Sequence, residues 1–231
     1  KIAFDKNIKI NNLSFAYDIP EQNRKNIIFD KINLEIKKGD FVGIAGESGC
    51  GKSTLIDLLV GLHTSNKGSI LVDGVSINEN IKSWQKLIGC VPQEVFISDS
   101  SLKKNIAFGE INEKISKEKV ERALKFSNLY SLSNSLENGV DTIIGEKGSR
   151  LSGGQKQRIG IARAVYNNPE ILIFDESTNS LDKETEEKII NEINLFKKHK
   201  TIIMISHKPE ILKCCDYVYK ISSKQIKRID S

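Results

Sequence analysis

The sequence predicts an α/β fold: a parallel sheet packed with helices, an antiparallel β region at the N-terminal end and an α-helical subdomain inserted in the middle. Three observations predict it. Short apolar runs at Phe41–Ala45, Ile171–Phe174 and Thr201–Ile205 are the pattern of strands buried on both faces. Segments with helical spacing fall between these runs, and buried strands alternating with helices build a parallel sheet. Near the start, Ile8–Tyr17 and Ile32–Ile36 instead alternate apolar and polar residues, as half-buried antiparallel strands do.

The elements follow in order. The first two strands are separated by a polar loop through Pro20 and Asn23. After Gly39 comes the strand Phe41–Ala45, then a glycine-rich turn, then a helix over Lys52–Leu62 with Leu55, Leu58, Leu59 and Leu62 on one face. Ser69–Val72 and Ile88–Val91 read as strands. Lys117–Leu132 has helical periodicity and neither glycine nor proline, so the middle of the chain is expected to be mostly helical. Beyond it lie the strand Ile171–Phe174, a charged helix at Lys183–Phe196, the strand Thr201–Ser206 and a hairpin of Tyr217–Ile221 with Gln225–Ile229. No internal repeat is present. The expectation is one domain over residues 1–231, with the β region and core at about 1–92 and 168–231 and the helical subdomain at about 93–167.

Composition excludes several classes. With 231 residues, 39% hydrophobic and 28% charged, the chain is long enough to bury a core and too apolar to be disordered. The longest apolar runs fall far short of the roughly 18 residues of a membrane helix, so the chain itself is expected to be soluble. It starts at Lys1 without a secretory leader, and is expected to be a piece of something longer. Cys50, Cys90, Cys214 and Cys215 lack metal-site spacing and are expected to be reduced, cytosolic thiols. The net charge of +5 comes from interspersed Lys and Glu rather than a basic block, so nucleic acid is not an expected partner.

The turn after Phe41–Ala45 reads Gly46-Glu47-Ser48-Gly49-Cys50-Gly51-Lys52-Ser53-Thr54 and fits the phosphate-binding loop G-x-x-x-x-G-K-[ST], placed between strand and helix as that loop must be. Glycines let backbone N–H groups curl around phosphates, and the helix N-terminus adds a favourable dipole. Lys52 can reach the outer phosphates, and the Ser53 hydroxyl can ligate magnesium. Downstream, Ile171–Phe174 ends in Asp175 and Glu176. An acid at the carboxyl end of a buried strand suits a magnesium link, and the next one suits the activation of water; a plain strand followed by a capped helix is the alternative. Between the two lies Leu151-Ser152-Gly153-Gly154-Gln155, opening a helix through Arg158, Ile161 and Ala164. Ser152 and two glycines at a helix start form a second anion site, with bare N–H groups and a hydroxyl aimed outward.

This pentapeptide, in order with the phosphate loop, resembles the signature of the nucleotide-binding domains of ABC proteins; by composition it arises in about one chain in several thousand. The resemblance implies a phosphate-loop NTPase core that binds ATP and Mg2+. It also implies a head-to-tail homodimer in which Ser152, Gly153, Gly154, Gln155 and Asp182 of one copy close over ATP held by the other. Tyr17 resembles the aromatic that stacks on adenine, the alternative being a ring packed within its strand. Gln93 resembles the glutamine that touches magnesium and the attacking water and links the site to transport subunits. Asn179-Ser180-Leu181-Asp182 resembles the loop usually reading Ser-Ala-Leu-Asp, departing from it at Asn179 and Ser180. His207, unlike His63 and His199, follows a buried strand, where the family has a histidine contacting the terminal phosphate; a capping or core histidine is the alternative. Glu176, Lys52 and His207 are all present, so the resemblance implies an active ATPase.

Ile144-Gly145-Glu146-Lys147-Gly148-Ser149-Arg150 resembles the exporter-type loop before the signature, with Lys147 at an arginine position, and Asn105-Ile106-Ala107-Phe108-Gly109 resembles the exporter stretch after the glutamine. Both imply an exporter or flippase whose membrane domain lies on the same full-length chain, placing the domain at the cytoplasmic face of the plasma membrane. The run from Trp84 through Gln93 to Phe108 is also similar to bacterial lipid-linked oligosaccharide flippases. An importer ATPase subunit, a soluble ABC protein and a phosphate-loop kinase or GTPase stay open as alternatives; the last would not need Leu151–Gln155.

Overall fold

The computed structural model describes residues 1–19, 24–145, 151–177, 181–196 and 199–229. Along the chain run β1 (Asn7–Ile19), β2 (Arg24–Lys37), β3 (Phe41–Gly46), α1 (Lys52–Leu59), β4 (Lys67–Val72), β5 (Val75–Ser76), α2 (Ile81–Gln85) and β6 (Ile88–Val91). They are followed by α3 (Leu102–Ile106), α4 (Lys117–Phe126), α5 (Tyr130–Ser135), α6 (Gly153–Tyr166), β7 (Ile171–Asp175), α7 (Lys183–Phe196), β8 (Thr201–Ile205), α8 (Pro209–Leu212), β9 (Tyr217–Ser222) and β10 (Gln225–Ile229). These elements form two compact units, Lys1–Ile88 with Lys197–Ser231, and Gly89–Phe196. Among the described residues no helix is long and apolar enough to cross a membrane.

In the first unit the alternating N-terminal segments pair as expected. β1 lies between β2 and β4, antiparallel to both, with β5 at the edge. Ile8, Ile10, Leu13 and Phe15 of β1 and Phe29, Ile32, Leu34 and Ile36 of β2 are all buried. The buried set changes phase between Ile10 and Leu13, where the register shifts and Asn12 takes a φ of 45°. Such a bulge adds a residue to one strand and lets both halves keep their apolar side inward. The apolar strands β3 and β8 belong to the parallel part: β3 runs parallel to β8 and to β9, and β10 returns antiparallel along β9. Ser223 and Lys224, with φ of 49° and 64°, make the two-residue turn of this hairpin.

Helix α1 ends at Leu59, short of the expected Leu62, whose side chain is exposed. Trp84 of α2, 1% exposed, donates its indole N–H to the carbonyl of Leu59 at 2.7 Å and so satisfies an acceptor at the helix end. Trp84→Phe removes that donor together with ring volume. The expected cost is about 2 kcal/mol of unfolding free energy, measured by urea denaturation.

The second unit is helical between its strands. The run expected as one helix over Lys117–Leu132 is two, because Asn128 adopts a φ of 54° and Leu129 donates back to the carbonyl of Leu124 at 2.8 Å. A left-handed asparagine ends a helix as glycine does. The unit buries Val120, Ala123, Leu124 and Phe126 from α4, but from α5 only the polar Ser133. Its polar anchor is Asn105, which is fully buried: its amide donates to the carbonyls of Ser98 and Ser101 and accepts from the Ser98 N–H. Arg163 of α6 donates to the carbonyls of Asn105 and Phe96, both at 2.9 Å, and lies over the Phe108 ring at 4.6 Å. Burial pushes its guanidinium below the usual arginine range.

Candidate functional site

In the first unit the phosphate loop grows out of the buried strand β3. Phe41, Val42 and Ile44 are at most 0% exposed, so the strand is held rigidly, and Gly46 at its end begins the loop. Gly51 precedes α1 with φ 107°, and a Cβ there would lie 2.6 Å from Ile28 and 3.1 Å from Phe29. Only glycine fits both the conformation and the space. No side chain caps the start of α1, and its first turn carries no acidic residue. The backbone N–H groups there are free of the side-chain oxygen that would otherwise compete with an anion. Lys52 is mostly buried, and its ammonium folds back to donate to the carbonyls of Gly46 and Glu47, both at 3.0 Å. The cation is thereby held over the loop formed by Gly46, Glu47, Ser48, Gly49, Cys50 and Gly51.

Tyr17 and His207 belong to the same unit. The Tyr17 hydroxyl lies 3.3 Å from that of Thr54, which ties the half-exposed ring to the start of α1. His207 is exposed and leaves β8 two residues beyond Ile205, while Gly46 lies two residues beyond Ile44. Ile44 and Ile205 are register partners in parallel strands, so the loop and His207 emerge from the same edge of the sheet. One neighbour was missed from the sequence: His63 meets Tyr17 edge-on, with ring centroids 5.4 Å apart, and also approaches Phe15. No local pattern marks His63, because it follows α1 in a turn.

In the second unit Gln93 is exposed just past β6 and Pro92. Asp175 ends β7 behind four buried residues, and Glu176 follows it in a left-handed conformation with φ 46°. Ser152 caps α6 in a reciprocal box: its hydroxyl accepts from the Gln155 N–H at 3.2 Å and the Gln155 side chain accepts from the Ser152 N–H at 2.8 Å. The serine expected to point outward is thus engaged as an acceptor, with its own proton left to donate. The S-x-x-Q spacing of this box is a sequence signal that the reading from glycines passed over. Gly153 and Gly154 form the first turn of α6, which carries no acidic residue.

Asp182 accepts from the Thr185 N–H at 2.9 Å, at the start of α7. Hydrogen bonds from the Thr185 backbone and side chain, with the charge of Arg158 adding to them, hold its carboxyl below the usual range. Arg158 of α6 in turn donates to the carbonyl of Asn128 at 2.9 Å; burial pushes its guanidinium down, against the opposing pull of Asp182. Asn179, Ser180 and the exporter-type segment 146–150 lie outside the described residues. The donor types expected around magnesium are a hydroxyl, an amide oxygen and one carboxylate. These types suit a small hard cation that keeps water and phosphate ligands; among the described residues no group of three or more His, Cys, Asp or Glu that could hold a metal ion occurs.

A glycine-capped loop after a buried parallel strand, with a lysine folded over it, defines a phosphate-loop nucleotide-binding domain. The comparisons narrow the class. Residues 29–179 match the ABC transporter family, and the chain belongs to it. It is 39% identical over 95% of its length to the uncharacterized ABC transporter ATP-binding protein YwjA of Bacillus subtilis, of which it covers 37%. It is also 39% identical over 95% of its length to the leukotoxin translocation ATP-binding protein LktB of Mannheimia glucosida, covering 30% of that protein. Among solved structures it resembles a bacterial Atm1-family ABC exporter with ATP bound, with a TM-score of 0.90 and 32% identity over 99% of this chain and 39% of that one. The chain thus spans between 30% and 39% of the length of these relatives.

Proposed function

We propose that this chain is the ATPase domain of an ABC exporter: it binds ATP with magnesium, hydrolyses the terminal phosphate, and works as a head-to-tail pair with a second copy. The observation that carries the reading is the phosphate loop, where Lys52 is held over the loop by the carbonyls of Gly46 and Glu47 at the uncapped start of α1. The names of LktB and of the Atm1-family structure favour an exporter over the importer alternative. A transmembrane domain would then be the other partner and would place this domain at the cytoplasmic face of a membrane.

In this reading Tyr17 stacks on adenine, and the backbone of residues 46–54 with Lys52 holds the phosphates. Ser53, Asp175 and Gln93 would hold magnesium, which would supply positive charge to the nucleotide's phosphates. Glu176 accepts a proton from the attacking water, and His207 donates a hydrogen bond to the γ-phosphate. Ser152, Gly153, Gly154, Gln155 and Asp182 act on nucleotide held by the second copy. Catalysis then rests on positioned charge rather than on a covalent intermediate.

The test is the dependence of Mg-ATP hydrolysis on protein concentration. Specific activity that rises with concentration and saturates supports a site completed by a second copy. Activity per molecule that stays constant over about a hundredfold range, well below and above typical dimer affinities, refutes the paired mechanism. No hydrolysis at any concentration refutes the ATPase reading itself.

A further inference from the structure

Ser177 is 1% exposed, and among the described residues its hydroxyl is the one buried side-chain polar atom without a hydrogen-bond partner. Its oxygen exposes less than 1 Å², so a water has no room to reach it in this arrangement. It directly follows Glu176, whose φ of 46° is a conformation that a glutamate adopts at a cost. Two successive residues after β7 are therefore held unfavourably, at the point where the proposed general base leaves its strand. An unpaired buried hydroxyl is normally removed or given a partner, since leaving it unmade forfeits its hydration with nothing in return.

We propose that Ser177 is a positioning residue for Glu176: the Glu176–Ser177 turn has a second arrangement in which this hydroxyl is paired, and binding of Mg-ATP selects it. The inference rests on the ATP reading given above. Ligand binding shifts an equilibrium between two arrangements only through differential interaction with them, and the hydroxyl sets how the two are balanced before ligand arrives. Removing the hydroxyl relieves the arrangement described here and takes the pairing from the other. Ser177→Ala thus stabilises the unliganded protein and weakens ATP binding.

The experiment compares Ser177→Ala with the parent protein, both in a Glu176→Gln background that slows turnover, by thermal melting without ligand and at saturating Mg-ATP and by calorimetric titration with Mg-ATP. The expected result is a Tm raised by about 2–4 °C without ligand, little or no rise at saturating Mg-ATP, and a Kd about fivefold weaker. A rise in Tm of the same size with and without Mg-ATP, at unchanged Kd, overturns the proposal, because the hydroxyl is then unpaired in both arrangements. An unchanged or lower Tm without ligand overturns it too, by showing that the hydroxyl is already paired. A parent protein that fails to bind Mg-ATP overturns the ATP reading instead, and is distinguished because the parent titration itself is flat.

Discussion

Lys52→Ala weakens binding of Mg-ATP by about a hundredfold and abolishes measurable hydrolysis at cellular ATP concentrations. Two losses add. Under the proposed function, the substitution removes a cation that would donate hydrogen bonds to phosphate oxygens, and charge-assisted bonds of this kind are about twice as strong as neutral ones. It also releases the carbonyls of Gly46 and Glu47, which Lys52 ties together at 3.0 Å each, so the loop loses the contact that shapes it before ligand arrives. Calorimetric titration measures the affinity. Lys52→Arg discriminates between the losses: it keeps the charge, but its planar fork cannot make the compact double contact of an ammonium, so affinity should recover only in part. Binding of Lys52→Ala at parental affinity would contradict the role given to the loop.

Glu176→Gln gives the complementary result, with kcat lowered by about 10²–10⁴-fold and affinity for Mg-ATP nearly unchanged. Glutamine keeps the size and a hydrogen-bonding oxygen of the side chain but cannot take up the proton of the attacking water. The loss belongs to the transition state alone, so kcat and kcat/KM fall together. Light scattering in Mg-ATP should then find the variant as a pair, since nucleotide that is bound and not consumed continues to favour association. Steady-state kinetics with parental kcat would remove Glu176 from the reaction and leave the strand–acid motif as ordinary capping.

The two substitutions therefore separate binding from chemistry, and Ser177→Ala adds the link between them. A wild-type enzyme that uses Glu176 as base needs the carboxylate placed at the moment of reaction, not merely present. In the arrangement proposed above, the left-handed turn at Glu176 and the unpaired hydroxyl after it would make that placement conditional on ligand.

Much of this architecture was legible beforehand because the informative signals are local. A wholly apolar run such as Ile171–Phe174 can only be satisfied inside a layered structure, and alternation at Ile8–Tyr17 can only be satisfied on a half-buried sheet. The loop from Gly46 to Thr54 carries its conformational requirement in its own glycines, so its place between β3 and α1 followed from spacing. The hairpin of β9 with β10 was equally readable. What periodicity could not supply was the phase slip at Asn12 and the break at Asn128, where a single left-handed residue redirects a strand or ends a helix.

Contacts between segments distant in sequence were decided by the tertiary structure. The Trp84 indole finds the carbonyl of Leu59, and Arg163 reaches the carbonyls of Phe96 and Asn105; neither pairing has a local signature. His63 joins the Tyr17 ring only because the turn after α1 brings it beside β1. Ser177 looks in the sequence like any polar residue after a strand, and its missing partner emerges only once its surroundings are closed. Local chemistry thus specifies which polar groups the chain offers, whereas burial, which depends on the whole chain, decides which of them are satisfied and which are left unpaired.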